Sequence, residues 1–264
     1  MKKILYFLFV VALLSLTSCW GIDNWDAPDC RFYGKLTDSY TGENLMTSQN
    51  EFKIRVWERS FTENVPQQQD LAVMQDGTYN HTKMFAGTYD MIPYDGPFWP
   101  VADTTKNVVL TKETEQNFTV TPYLQLIEFN QRLQARSDGY NLYLSCKLKA
   151  PRRQGLPNLR EIKPFLSLSP FCGQSGTSGS GFTPNSFIDI SEYNDRRIQL
   201  NRSWGDEMAR TGIDKDSEIS GTYEIGPLPV KFGYTYNVRI GAGCNVGGNK
   251  YNYTPIVKIV VPNQ

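Results

Sequence analysis

Histidine is almost missing: the 264 residues include one, His81. That excludes a histidine-rich metal site and leaves a single candidate base for any His-dependent catalytic triad. Net charge is missing too, with 27 Lys+Arg against 27 Asp+Glu. A nucleic-acid binder would carry a basic excess on one face, so nucleic acid is excluded as a partner. No serine stands in a G-x-S-x-G: Gly179-Ser180-Gly181 lies in a Gly/Ser-rich stretch without the strand–turn–helix setting a nucleophile needs. No two cysteines are spaced as C-x-x-C, which removes zinc-ribbon and thioredoxin-like chemistry. No segment keeps a helical apolar period over ten residues; the nearest, Ser203 to Arg210, is limited by Gly205 and Gly212. No apolar run reaches the roughly 20 residues that span a bilayer. With no residues that could be assigned as catalytic, metal-binding or cofactor-binding, the chain is expected not to be an enzyme. A binding or structural protein remains.

What is present begins at the N-terminus. Met1-Lys2-Lys3 is a short basic region, and Ile4 to Leu16 is an apolar run of signal-peptide length. The run ends in Leu16-Thr17-Ser18-Cys19, which resembles the lipobox of bacterial lipoproteins: a branched apolar residue, two small residues, then the cysteine that receives lipid. Residues 1–18 are therefore expected to be a cleaved signal peptide. Cys19 is the expected lipid attachment point and residues 19–29 the tether. Several acyl chains on one residue anchor far more firmly than one. Trp20 and Trp25 in the tether are expected near the membrane. Asp23, Asp26 and Asp29 follow the cysteine closely, which resembles the surface-export signal of Bacteroidetes lipoproteins. Attachment to the outer membrane facing the cell exterior is expected, with the periplasmic face as the alternative. Removing Lys2 and Lys3 leaves 25 basic against 27 acidic residues. The export route implies an oxidising compartment, where Cys30, Cys146, Cys172 and Cys244 could pair in three ways or stay as buried thiols.

The body reads as β throughout. Runs rich in Val, Ile, Tyr, Phe and Thr are broken by Gly, Asp, Asn and Pro clusters at about ten-residue intervals. Expected strands are 31–37, 52–58, 78–84, 87–92, 107–110 and 115–120. Beyond Thr121-Pro122-Tyr123 they are 124–129, 141–148, 163–168, 187–190, 197–200, 221–225, 234–242 and 256–261. Pro122 suits a junction because proline cannot continue a central ladder. The stretch 173–184 is Gly/Ser-rich and reads as a flexible loop.

Gly34-Lys35-Leu36-Thr37-Asp38 followed by Thr41-Gly42-Glu43-Asn44-Leu45 resembles the opening of carboxypeptidase regulatory-like, or transthyretin-like, domains. Asn44 replaces a common proline. Asp76-Gly77-Thr78-Tyr79 and Ala86-Gly87-Thr88-Tyr89 fit later turns of that family, where Gly77 and Gly87 are expected at positive φ. Gly233 to Ala242 resembles the penultimate strand of a fibronectin- or immunoglobulin-like sandwich, whose leading tyrosine ties back to the backbone. The expectation is an all-β chain of two β-sandwich domains, transthyretin-like at 30–121 and Ig/fibronectin-like at 122–264. Asp95-Gly96-Pro97-Phe98-Trp99-Pro100-Val101 is similar to an N-G-P-F-x-P-V signature, with aspartate for asparagine. With the lipobox and domain order, it resembles two-domain Bacteroidetes surface lipoproteins of unassigned function linked to SusC/SusD-type glycan uptake loci. The resemblance implies a cell-surface partner of polysaccharide uptake, with an importer complex and a polysaccharide as partners, and it transfers no binding residues.

Exposed aromatics carry the binding expectation, because a pyranose C–H face stacks on Trp or Tyr while polar side chains take its hydroxyls. Trp204 has polar neighbours on both sides, which favours exposure, and is the first candidate platform, with Arg202 and Asp206 beside it. Tyr94, Asp95 and Trp99 lie in a proline-stiffened loop and form the second group; the alternative is that Phe98, above all, and Trp99 plug the interface between domains. Asp214-Lys215-Asp216-Ser217-Glu218 has alternating carboxylates, but Ile219 stands where a calcium loop needs glycine, so it reads as a solvated turn. His81 is expected on an exposed strand. The expected role is carbohydrate binding, or an accessory part in polysaccharide uptake. The alternative is a structural or adhesive surface protein that docks to other proteins.

Overall fold

The computed structural model describes residues 26–49, 51–60, 66–174, 196–246 and 250–263. The signal peptide, Cys19, Trp20, Trp25, the expected strand 187–190 and most of the Gly/Ser-rich stretch lie outside the described residues.

The all-β expectation holds. The N-terminal part contains β1 (Cys30–Asp38), β2 (Lys53–Glu58), β3 (Gln68–Ala72), β4 (Thr78–Met84), β5 (Gly87–Tyr94), β6 (Thr105–Leu110), β7 (Glu113–Glu115) and β8 (Phe118–Val120). β4 pairs antiparallel with β1, and β7 and β8 run parallel to β1. The second sheet has the order β3-β2-β5-β6. Phe32 and Leu36 of β1 alternate inward to meet Ile54 and Val56 of β2 and Met91 of β5, all fully buried. The turn before β4 forms as its sequence requires. Gly77 adopts φ 79°, and Asp76 Oδ1 accepts from the Thr78 N–H at 3.0 Å. Gly87 does not need positive φ; a Cβ there would press against Ser60.

The C-terminal part contains β9 (Gln125–Arg136), β10 (Gly139–Lys149), β11 (Leu159–Ser167), β12 (Ile198–Arg202), α1 (Trp204–Arg210), β13 (Ile219–Val230), β14 (Thr235–Cys244), β15 (Asn252–Tyr253) and β16 (Val257–Val260). One sheet has the order β13-β10-β9 and the other β12-β11-β14, with β15 and β16 both on β14. Between them lies a second core. Leu142, Leu144, Cys146 and Leu148 project from β10 toward Ile162, Leu166, Val238 and Ile240. The tyrosine corner is present: the Lys231 N–H donates to the Tyr236 hydroxyl at 3.1 Å, five residues back along the chain. Cys30, Cys146, Cys172 and Cys244 are free and buried, so each packs as a small apolar side chain. His81 is half-buried, not exposed, with its Nε2 3.0 Å from the Ala72 carbonyl, and burial lowers its pKa.

β14 is buried on both faces from Tyr236 to Cys244. Val238, Ile240 and Ala242 enter the C-terminal core. Between them, Arg239 faces the N-terminal sandwich and is 0% exposed; its Nη1 donates to the Thr47 carbonyl at 2.7 Å, and its guanidinium lies 3.8 Å from the Tyr253 ring centre. Phe165, Cys172, Tyr251 and Tyr253 form a small third cluster, against which Met46 packs. Glu51 joins the two parts as well: its carboxylate accepts from the Tyr251 N–H (3.0 Å) and the Tyr253 hydroxyl (2.7 Å). Burial pushes the Glu51 carboxyl up, opposed by those two hydrogen bonds and by the charges of Arg239 and Lys250. The third cluster is thus a polar and aromatic seam between the sandwiches.

Candidate functional site

The loop after β5 is organised by its own sequence. Asp95 turns the chain at φ 60°, a conformation that Asp tolerates better than most residues. At Gly96 a Cβ would collide with the Phe98 ring, and that ring is fixed in the N-terminal core, edge-on to Phe52 at 6.0 Å. The loop then pairs with the junction strand: Trp99 N–H donates to the Thr121 carbonyl (2.8 Å) and Tyr123 N–H to the Pro97 carbonyl (3.0 Å). The 95–101 signature and the Thr121-Pro122-Tyr123 junction are therefore hydrogen-bonded neighbours. Phe98 goes into one core, while Trp99 packs against the other, 5.3 Å from Tyr123 and beneath the Arg152 guanidinium at 4.1 Å. Consecutive aromatics packed into different cores pin the junction.

Beside this loop lies an open cleft of about 340 Å³ lined by Pro93, Tyr94, Asp95, Phe98, Pro100 and Tyr123, with Ile92, Gly96, Val101 and Val246 completing the wall. Tyr94 is its exposed ring, 42% accessible. The Arg55 guanidinium covers one face of that ring at 3.6 Å, and Asp70 holds Arg55 through two hydrogen bonds of 2.7 and 2.9 Å. Asp70, Arg55 and Tyr94 sit on adjacent strands in register, since Arg55 of β2 pairs with Asp70 of β3 and Lys53 with Tyr94. The guanidinium holds the Asp70 carboxyl below the usual carboxylate range, as expected for a bidentate pair. The ring is thus held in one orientation. Asp95 is positioned from the other sandwich. Its Oδ2 accepts from Lys250 Nζ at 3.0 Å, and that ammonium also donates to the Glu51 carbonyl. The cleft is composite, with Tyr123 and Val246 contributed from beyond the junction.

Of the sequence candidates, Tyr94 and Asp95 line the cleft. Trp99 is not part of the lining. Trp204, Arg202 and Asp206 form a different arrangement from the one expected. Trp204 is 4% exposed, belongs to the C-terminal core and donates from Nε1 to the Ser217 carbonyl at 2.8 Å, so it offers no stacking face. Ser203 caps α1: its Oγ accepts from the Asp206 N–H (3.2 Å) and donates to the Asp206 carboxylate (2.6 Å). Arg202 Nε lies 3.3 Å from the carboxylate of Glu207, a fully buried acid that also binds Arg210 and the Tyr223 hydroxyl. Burial pushes the Glu207 carboxyl up, but the hydrogen bonds from Arg210 and Tyr223 and the two arginine charges outweigh it and hold it below its ordinary value. This cluster fastens the helix to the core. Asp214 accepts from the Asp216 N–H at 2.9 Å, a local turn, and among the described residues no three acidic, His or Cys side chains converge for a metal.

Residues missed by sequence reasoning are Arg55, Asp70, Tyr123, Val246 and Lys250. Arg55 was legible only as a polar position on a strand. Lys250 is joined to Asp95 by folding across 155 positions, for which local sequence holds no signal.

The fold and site define an all-β protein of two packed sandwiches with an aromatic-walled cleft at their junction. Residues 30–121 match a family model described as "Protein of unknown function (DUF3823) N-terminal domain". No curated protein matches the chain. The fold is shared with three solved structures. One, from Bacteroides uniformis ATCC 8492 and named a "putative carbohydrate binding protein", is 22% identical, with TM-score 0.60, over 88% of this chain and 99% of that one. A DUF3823 family protein from the same organism is also 22% identical, with TM-score 0.61, over 89% and 100% of the two chains. A DUF3823 family protein from Parabacteroides merdae ATCC 43184 is 19% identical, with TM-score 0.56, over 89% and 100%.

Proposed function

We propose that this chain is a non-catalytic cell-surface lipoprotein, anchored through Cys19, that binds carbohydrate in the cleft at residues 92–101 as an accessory to polysaccharide uptake beside an outer-membrane importer. The observation that carries the binding reading is the exposed Tyr94 ring, backed by Arg55 and flanked by the Asp95 carboxylate in an otherwise apolar wall. An oriented aromatic face suits the C–H face of a pyranose, and a carboxylate beside it suits the hydroxyls. Little ordering entropy is lost on binding, because Asp70 already holds Arg55 and Lys250 already holds Asp95. The carbohydrate-binding name carried by one structural neighbour agrees with this reading. The lipobox at 16–19 supports the anchor.

Isothermal calorimetry or affinity electrophoresis against a polysaccharide panel tests it. At least one glycan should bind wild type, and Tyr94→Ala should weaken it about tenfold, or about 1.4 kcal/mol. Absence of binding to every glycan, or a Tyr94→Ala variant that binds like wild type, refutes the proposal.

A further inference from the structure

We infer that the cleft selects neutral glycans and rejects uronic-acid or sulfated ones, with Asp95 as the specificity-determining residue; this rests on the binding reading above. The argument is an inventory of the wall. Among the ten lining residues there is no ammonium, guanidinium, amide or imidazole side chain. The polar side chains are the Asp95 carboxylate and the hydroxyls of Tyr94 and Tyr123. Pro93 and Pro100 have no backbone N–H to offer. The Asp95 carboxylate accepts and cannot donate, and no cationic or amide side chain stands in the wall, so the ligand must supply the donor that Asp95 needs. Sugar hydroxyls do so; a carboxylate or sulfate cannot.

Two cations touch lining residues, and both are already engaged. Arg55 is bound in bidentate fashion to Asp70 and stacked behind Tyr94, with its side chain 17% exposed. Lys250, 9% exposed, gives Nζ to Asp95 Oδ2 and to the Glu51 carbonyl. Neither is presented to a bound anion. Asp95 Oδ1 accepts no hydrogen bond among the described residues, and the side chain is 38% exposed, which leaves that oxygen able to accept from a hydroxyl. Lys250 offsets part of the Asp95 charge, but an anionic group set against Oδ1 has no proton to give it, and their repulsion is stronger in a partly desolvated wall than in bulk water. Lys250 thus acts as a positioning residue: it fixes Asp95 through one oxygen and leaves the other to read hydroxyls.

The test compares one polymer in two charge states, polygalacturonate and the same polymer after carboxyl reduction, together with neutral glucan, mannan and galactan and a sulfated galactan. Binding is measured by calorimetry at 0.15 M salt on the full chain. Wild type should bind its best neutral glycan at least tenfold more tightly than any acidic one, and reduction of the polyuronate should strengthen its binding. Asp95→Asn replaces the free acceptor with an amide that also donates, and should narrow the neutral-to-acidic ratio to threefold or less, with a melting temperature that confirms folding. Equal or tighter binding of the acidic polymers by wild type, or an unchanged ratio in folded Asp95→Asn, overturns this inference while leaving carbohydrate binding standing. If Asp95→Asn does not fold, the wild-type ratio alone decides. Absence of binding to any polymer overturns the binding reading itself.

Discussion

Replacing Trp204 with alanine separates a core residue from a ligand platform, because the two roles predict opposite results. The indole is 4% exposed and packs in the C-terminal core with fully buried Met208 beneath the helix. Truncating a buried Trp to Ala typically costs about 3–5 kcal/mol, as lost transfer energy plus the cavity that remains. The Ser217 carbonyl, which accepts from Nε1 at 2.8 Å, also loses its partner, for about 1 kcal/mol more. Against a total of roughly 5–15 kcal/mol, the loss is a large share of the stability. For a chain of this size it corresponds to a fall in melting temperature of the order of 10 °C or more. Calorimetric melting and urea titration measure it, and the same samples, held well below their melting point, are assayed for glycan binding. Binding should be within about twofold of wild type, because neither Trp204, Arg202 nor Asp206 lines the cleft. A variant that melts with wild type but has lost binding would refute the placement of Trp204 and return it to the surface.

Two further outcomes follow from buried charge. Arg239→Ala removes the cation from the seam, leaving Glu51 short of a compensating charge and the Thr47 carbonyl without its donor; breaking such a group costs about 3–5 kcal/mol, read by urea titration, and a loss below 1 kcal/mol would contradict the buried seam. Glu207→Gln should destabilise by about 1.5–3 kcal/mol at neutral pH, toward the lower end because both arginine partners are well exposed. Its native pKa is depressed, so the carboxylate's contribution is present above the ordinary value of 4.5 and is lost as pH falls below it. The gap between wild type and Glu207→Gln should therefore close in acid melts, and a gap that persists unchanged at low pH would contradict the ionised cluster.

Where local pattern suffices, sequence and structure agree. Residues 78–84 are read as a strand and form β4 with those limits. The alternation of apolar residues in 141–148 is the inward face of β10. β3, Gln68–Ala72, is missed because it is an edge strand with one buried side chain, so no two-residue period appears. Trp204 is misplaced for a related reason. Its polar neighbours argue for exposure only in extended chain; in α1 the residues sharing its face are Glu207 and Met208, three and four positions on, and both are buried. Ser203 with Asp206 three places later was the capping signal that could have revealed the helix.

The candidate site divides in the same way. Tyr94 and Asp95 could be named from the proline-stiffened loop, since a turn with Gly96 between an acid and an aromatic run is a local arrangement. Whether Trp99 faced solvent or core could not be named, because the ring's neighbours, Tyr123 and Arg152, are distant in sequence. By itself the sequence determined the β architecture, the turn at Asp76–Tyr79 and the loop at 94–100, because each depends on residues within a few positions of one another. Only the tertiary structure decided that Arg239 is buried, that Lys250 holds Asp95, and that Arg55 stands behind Tyr94. Those contacts depend on which faces the two sandwiches turn toward each other, and the packing of one surface on another leaves no period in the chain.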